Sequence, residues 1–174
     1  MAGRQPDEVV CRFSSISMLH LQSTNTAMGI IETKLQRLGM ELGEPKAPVG
    51  NYLCSKRVGN LLFVSGRVSE QTGEVGTDVT EEAAKEAARN TMLLVLAIIK
   101  KDIIDLELIA GVVKLQGFIR SSPQFTRQPQ VLDGASDLLI ALWGEEGRHS
   151  RTATGVNQLP FGASVQLDLV LQLK

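Results

Sequence analysis

Residues 163–173 alternate. Val165, Leu167, Leu169, Leu171 and Leu173 fall on one side; Ser164, Gln166, Asp168 and Gln172 fall on the other, with Val170 the exception. Successive side chains of a strand point to opposite faces, so this is a strand with one apolar and one largely polar face. Earlier in the chain the period changes. From about Thr80 to Lys101, Ala84, Ala87, Ala88, Thr91, Leu94, Val95 and Ile98 lie along one face at helical spacing. Asp78, Thr80, Glu81 and Glu82 supply a cap and negative charge at the helix start, and Lys100 and Lys101 suit its C-terminal end. The small residues of that face would allow close approach to a sheet.

The remaining segments complete the order. Ile31, Leu35 and Leu38 recur at helical spacing and Gly39 follows as a stop, which predicts a short amphipathic helix. Pro45 and Pro48 mark an extended linker. Strands at 51–57 and 60–66 are joined through Val58-Gly59-Asn60 as a tight hairpin. A strand at 108–119 precedes a second helix at 129–143, opened by Pro129 and broken by Gly144 and Gly147. A strand at 150–157 comes before the last one. The order is ββαβαββ, an α+β layer with two main helices on one sheet face. The other face is half polar and must be buried by something else, which argues for oligomerisation.

Composition narrows the class. The 174 residues suit one domain, and 43% apolar with 21% charged is ordinary for a globular chain. A net charge of −1 without basic runs gives no footprint for nucleic acid or an anionic membrane. Cys11 and Cys54 form no C-x-x-C and have no histidine nearby, so two reduced thiols are expected rather than zinc. The longest apolar run, Met92 to Ile99, is too short to span a bilayer. Residues 1–27 carry no core-forming period. They are expected to be a flexible extension, a transit peptide, or residues upstream of a start at Met28; residues 28–174 form the domain. A cytoplasmic location is expected, or an organellar one if the extension is a transit peptide.

Several strings, in order, carry a family resemblance: Pro48-Val49-Gly50-Asn51-Tyr52, Leu62-Phe63-Val64-Ser65-Gly66-Arg67, Val113-Lys114-Leu115-Gln116-Gly117-Phe118, and Arg148-His149-Ser150-Arg151-Thr152-Ala153-Thr154-Gly155-Val156 followed by Leu159-Pro160. Over residues 30–174 the chain resembles the Rid (YjgF-like) family, often labelled L-PSP endoribonucleases. The block Asp133-Gly134-Ala135-Ser136-Asp137-Leu138 resembles a branch with an extra N-terminal helix. The resemblance implies a chorismate-mutase-like fold and a homotrimer with ligand clefts between subunits. It also implies hydrolysis of reactive 2-imino acids and enamines to 2-oxo acids and ammonia, with no metal or organic cofactor.

Site residues follow from it one by one. Arg151 matches the carboxylate-binding arginine, and a guanidinium can grip a carboxylate bidentately; the bland alternative is a surface ion pair. Tyr52 matches the cleft-edge tyrosine, or is an interface aromatic. Ser65 and Gly66 match a Ser-Gly that lets a ligand approach the backbone, though a packing glycine reads the same way. Ala153 stands where many members carry Cys, at a backbone contact to the ligand. Asp133 lies near the family's cleft asparagine. Gln166 is a departure: deaminases of the family place Glu there to activate water, and an amide orients water without taking its proton. Asp168, on the same strand face, is an alternative carboxylate or a solvated side chain lining the sheet. His149 has no evident nucleophile and reads as structural. Three functions are consistent with these residues: an imine/enamine deaminase with Arg151 and Gln166 in the reaction, a non-catalytic trimeric binder of small carboxylates, and a ribonuclease. The lack of a basic stripe and the 4% aromatic content count against the last.

Overall fold

The computed structural model describes residues 29–45 and 50–174. The extension at 1–27 and part of the Pro45–Pro48 linker lie outside the described residues. The elements are α1 (Ile30–Arg37), β1 (Ser55–Val58), β2 (Leu61–Val68), α2 (Glu81–Ile103), β3 (Ile109–Arg120), α3 (Gln128–Trp143), β4 (Ser150–Val156) and β5 (Val165–Leu173). No helix among the described residues is long and apolar enough to cross a membrane.

Each helix end has a local cause. Thr80 caps α2 by accepting a hydrogen bond from the Ala83 N–H at 3.2 Å. Gly39, at φ +68°, ends α1: its N–H bonds the Gln36 carbonyl and the Met40 N–H reaches back to that of Leu35. This double bond pattern returns the chain with Met40 packed on the core. Leu38, read as part of the apolar stripe, is therefore 46% exposed, and Met40 takes the place it was expected to fill.

The five strands run in the order β1-β2-β5-β3-β4, with β3 and β4 parallel and the other pairs antiparallel. Val58 pairs with Leu61 across the hairpin, and Gly59 takes the left-handed corner at φ +60°. A register shift between Val64 and Arg67 places a bulge at Ser65-Gly66. Leu167, Leu169 and Leu171 are buried beneath the helices beside Leu115 and Ile119. Ser164, expected on the polar face, is fully buried. It precedes the strand and is satisfied there, donating its hydroxyl to the Gly73 carbonyl at 2.9 Å and its N–H to the Ser69 hydroxyl at 3.2 Å.

The close approach expected between this helix and the sheet is instead helix to helix, because α3 lies against it. α2 is buried on more than one stripe, with Met92, Leu96 and Ile99 as inaccessible as Val95. Gly134 of α3 lies so near α2 that a Cβ there would stand 2.0 Å from the Lys85 carbonyl oxygen. Gly117 plays a similar part in the sheet, under Leu132. Among the described residues no helix lies over the opposite sheet face, with Phe63, Gln116, Phe118, Gln166, Asp168 and Val170, and that face is only partly covered.

Candidate functional site

β4 is an edge strand, and its register decides where Arg151 points. Arg151 pairs with Leu115, whose side chain is buried under the helices, so Arg151 also points to the helix side and meets α3. Its Nη1 donates to Asp133 Oδ1 at 2.7 Å and to Ser136 Oγ at 3.0 Å. Asp133 and Ser136 are three residues apart on α3 and so share one helix face. Ser136 is buried and lies 3.1 Å from His149 Nε2, while His149 Nδ1 lies 2.7 Å from the Gly147 carbonyl. A carbonyl oxygen only accepts, so Nδ1 carries the hydrogen and Nε2 of the neutral ring accepts from the Ser136 hydroxyl. The result is a directed chain: Arg151 donates to Ser136, Ser136 to His149, His149 to the backbone. Nη1 is fully used, and the Nε and Nη2 edge has no hydrogen bond among the described residues.

The β2 bulge forms a second group. Ser65 donates its hydroxyl to the Leu53 carbonyl at 2.7 Å and its N–H to the Cys54 carbonyl at 2.9 Å, which ties the loop carrying Tyr52 to the sheet. Tyr52 itself is 46% exposed. Gly66 lies against Gln166 of β5: a Cβ at Gly66 would meet Gln166 Nε2 at 2.9 Å. Cys54 is a free thiol that accepts from Arg67 Nη2; Cys11 lies outside the described residues.

Within one chain these groups stay apart. Three strands separate β1 from β4. At about 4.8 Å per strand, the Tyr52 edge and the Arg151 edge are about 19 Å apart, too far for one small ligand to bridge. Gln166 pairs with Phe118 and so lies on the uncovered face, opposite to the side on which Arg151 meets α3. Ala153 pairs with Gly117 and packs half-buried on the core. A cavity of about 680 Å³ between α2 and the end of β2 contains none of the anticipated site residues. A second, about 630 Å³, contains Tyr52 but not Arg151. Tyr52 and Arg151 thus lie towards opposite edges of the sheet, and neither of these cavities gathers both.

Asp133, Ser136 and His149 were visible in the sequence without being assembled. The i, i+3 spacing of Asp133 and Ser136 was a usable signal. Their union with Arg151 was not, because it depends on α3 lying against β4.

Asp168 faces the uncovered side, paired with Gln116. Burial raises its carboxyl above the ordinary value of 3.8, and the Lys114 ammonium offsets part of that rise. A raised folded-state pKa contributes stability that is full below the unfolded value and is lost as pH rises through the folded one. Asp168→Asn is therefore expected to melt above the wild type at neutral pH, and the gap should close as pH falls towards 3.8. Thermal melts across that range check it; a gap that does not change with pH would place the effect elsewhere than in this ionisation.

Residues 32–172 match the family model described as "YjgF/chorismate mutase-like, putative endoribonuclease". The chain is 42% identical over 154 residues to Protein TCP17 of Trypanosoma cruzi, covering 84% of this chain and 96% of that protein. Among solved structures it is similar to Atu1372 of Agrobacterium tumefaciens, a protein of unknown function, at 39% identity and TM-score 0.78, over 83% of this chain and 93% of that one. A structure from Shewanella oneidensis, described as a "putative endoribonuclease", is similar at 32% identity and TM-score 0.79, over 82% and 99% of the two chains.

Proposed function

The chain belongs to the YjgF/chorismate-mutase-like family, and on that premise we propose that it hydrolyses small 2-imino acids and their enamine tautomers to 2-oxo acids and ammonia. The observation that carries the reading is Arg151. It is a half-buried guanidinium on an edge strand, held by Asp133 and Ser136 through one nitrogen, with its planar Nε–Nη2 edge left for a ligand carboxylate. Two copies build the site. One supplies the Arg151 edge, and the other supplies the Tyr52 loop with Ser65, Gly66 and Gln166. The uncovered sheet face turns inward in a homotrimer. Water adds to the imine carbon, the nitrogen takes up a proton, and the carbinolamine collapses to release ammonia. Gln166 accepts a hydrogen bond from the attacking water and orients it.

A second reading, a trimeric binder of small carboxylates without turnover, is favoured by the amide at 166, which cannot act as a base. The ribonuclease function named for the Shewanella relative finds little support here, since the net charge of −1 leaves no basic track for RNA.

The test combines assembly, binding and turnover. Light scattering of the full chain is expected to give about three chain masses. Arg151→Ala is expected to weaken 2-oxo acid binding by about 1.5–3 kcal/mol, the scale of a charge-assisted hydrogen bond, and Arg151→Lys to restore only part of it. Freshly generated 2-aminoacrylate should be hydrolysed faster with the protein than without it. Unchanged binding in Arg151→Ala removes Arg151 from the site. Binding that depends on Arg151 with no hydrolysis leaves the binder.

A further inference from the structure

Arg151 does not present an isolated positive charge. Asp133 sits against it with Oδ1 on Nη1 at 2.7 Å, so the pair is neutral overall, and the Asp133 side chain remains 41% exposed. Exposed ion pairs contribute about 0–1 kcal/mol to stability, a weak reason for this one to exist. Its effect on a ligand is larger. A simple monoanion seated on the Nε–Nη2 edge gains Arg151 and meets the repulsion of Asp133 a few ångströms away. A ligand with a protonated nitrogen beside its carboxylate satisfies both charges.

Resting on the reading of Arg151 as the carboxylate anchor, we propose that the Asp133–Arg151 pair makes the site selective for zwitterions, with the carboxylate on Arg151 and a cationic α-nitrogen on Asp133. Oδ2 of Asp133 has no hydrogen bond among the described residues and serves as the acceptor. The Ser136–His149 chain holds the second hydrogen of Nη1, so the guanidinium cannot rotate to present a different edge.

For the proposed reaction the selectivity has a direction. The protonated imine is the more electrophilic form, and it is the form that matches Asp133. The balanced step takes the iminium carboxylate and water to the 2-oxo acid and ammonium: the C=N bond gives way to C=O, and nitrogen leaves with the positive charge. The product keeps its carboxylate but has lost the group facing Asp133. Asp133 therefore holds substrate and disfavours product.

The experiment measures calorimetric Kd values of the full chain for alanine, a stable zwitterion, and pyruvate, the matching 2-oxo acid, in wild type, Asp133→Asn, Asp133→Glu and Arg151→Ala. Wild type is expected to bind alanine at least about tenfold more tightly than pyruvate, the scale of one charge-assisted contact. Asp133→Asn should lose that preference and bind pyruvate more tightly than wild type does. Asp133→Glu, which keeps the charge, should retain the preference, and separates loss of charge from loss of fold. Arg151→Ala should lose both ligands. Equal binding of the two ligands by wild type, or equal weakening of both in Asp133→Asn, overturns the zwitterion proposal and leaves Arg151 as anchor with Asp133 merely steadying it. Binding of pyruvate and alanine that ignores Arg151→Ala, or no binding of either, sinks the site itself.

Discussion

Replacing Gln166 by glutamate is expected to raise the rate of 2-aminoacrylate hydrolysis by about 10²-fold, the lower end of what general-base assistance supplies. Gln and Glu have nearly the same shape, and the side chain at 166 lies over Gly66, where the missing Cβ leaves room for its terminal group. The substitution therefore changes chemistry more than packing. The Gln166 carbonyl oxygen can accept a hydrogen bond from water and fix its direction, but the proton that water loses has no side chain at 166 to receive it. A carboxylate there receives it. The gain should appear in kcat and fall away under acid conditions, where the new carboxyl is protonated, while wild type shows no such limb. A Gln166→Glu protein no faster than wild type, with 2-oxo acid binding intact, would remove residue 166 from the water-handling role. Asp168, two residues along on the same face, would then be the next carboxylate to replace.

Gly134→Ala is expected to destabilise the fold by about 3 kcal/mol or more, at or beyond the upper end of ordinary overpacking costs. The added Cβ would stand 2.0 Å from the Lys85 carbonyl oxygen and 2.9 Å from its carbon. Both are backbone atoms of α2, so no side chain can swing aside; the helices must separate. Ala84 and Ala88 of α2 are completely buried in the same layer, so separation would open gaps among residues that now touch. For a chain of this size the melting temperature should fall by about 6–12 °C. Gly43→Ala is the control, because nothing lies within 4 Å of its would-be Cβ. A Gly134→Ala protein that melts with the wild type would mean that α2 and α3 are not in this contact. The substitution also bears on the site, since Asp133 and Ser136 flank Gly134 on the helix that holds Arg151.

The sequence by itself determined the element order, the family and the core face of the last strand. Those depend on local periods and local chemistry: the alternation of Val165 to Leu173, the Thr80 cap, the Gly39 stop and the Gly59 corner each act within a few residues of the chain. Where local reading missed, a partner distant in sequence intervened. Ser164 is buried because Ser69 and Gly73 satisfy it, and Leu38 is exposed because the returning chain places Met40 on the core instead. Only the tertiary structure decided the surroundings of Arg151. Parallel pairing of β4 with β3 turns Arg151 towards α3, where Asp133 neutralises it and Ser136 and His149 orient it. The strand order then puts Tyr52 and Arg151 on opposite edges of one sheet. Charge pairing and strand order are set by which surfaces meet in three dimensions, and no period along the chain encodes them.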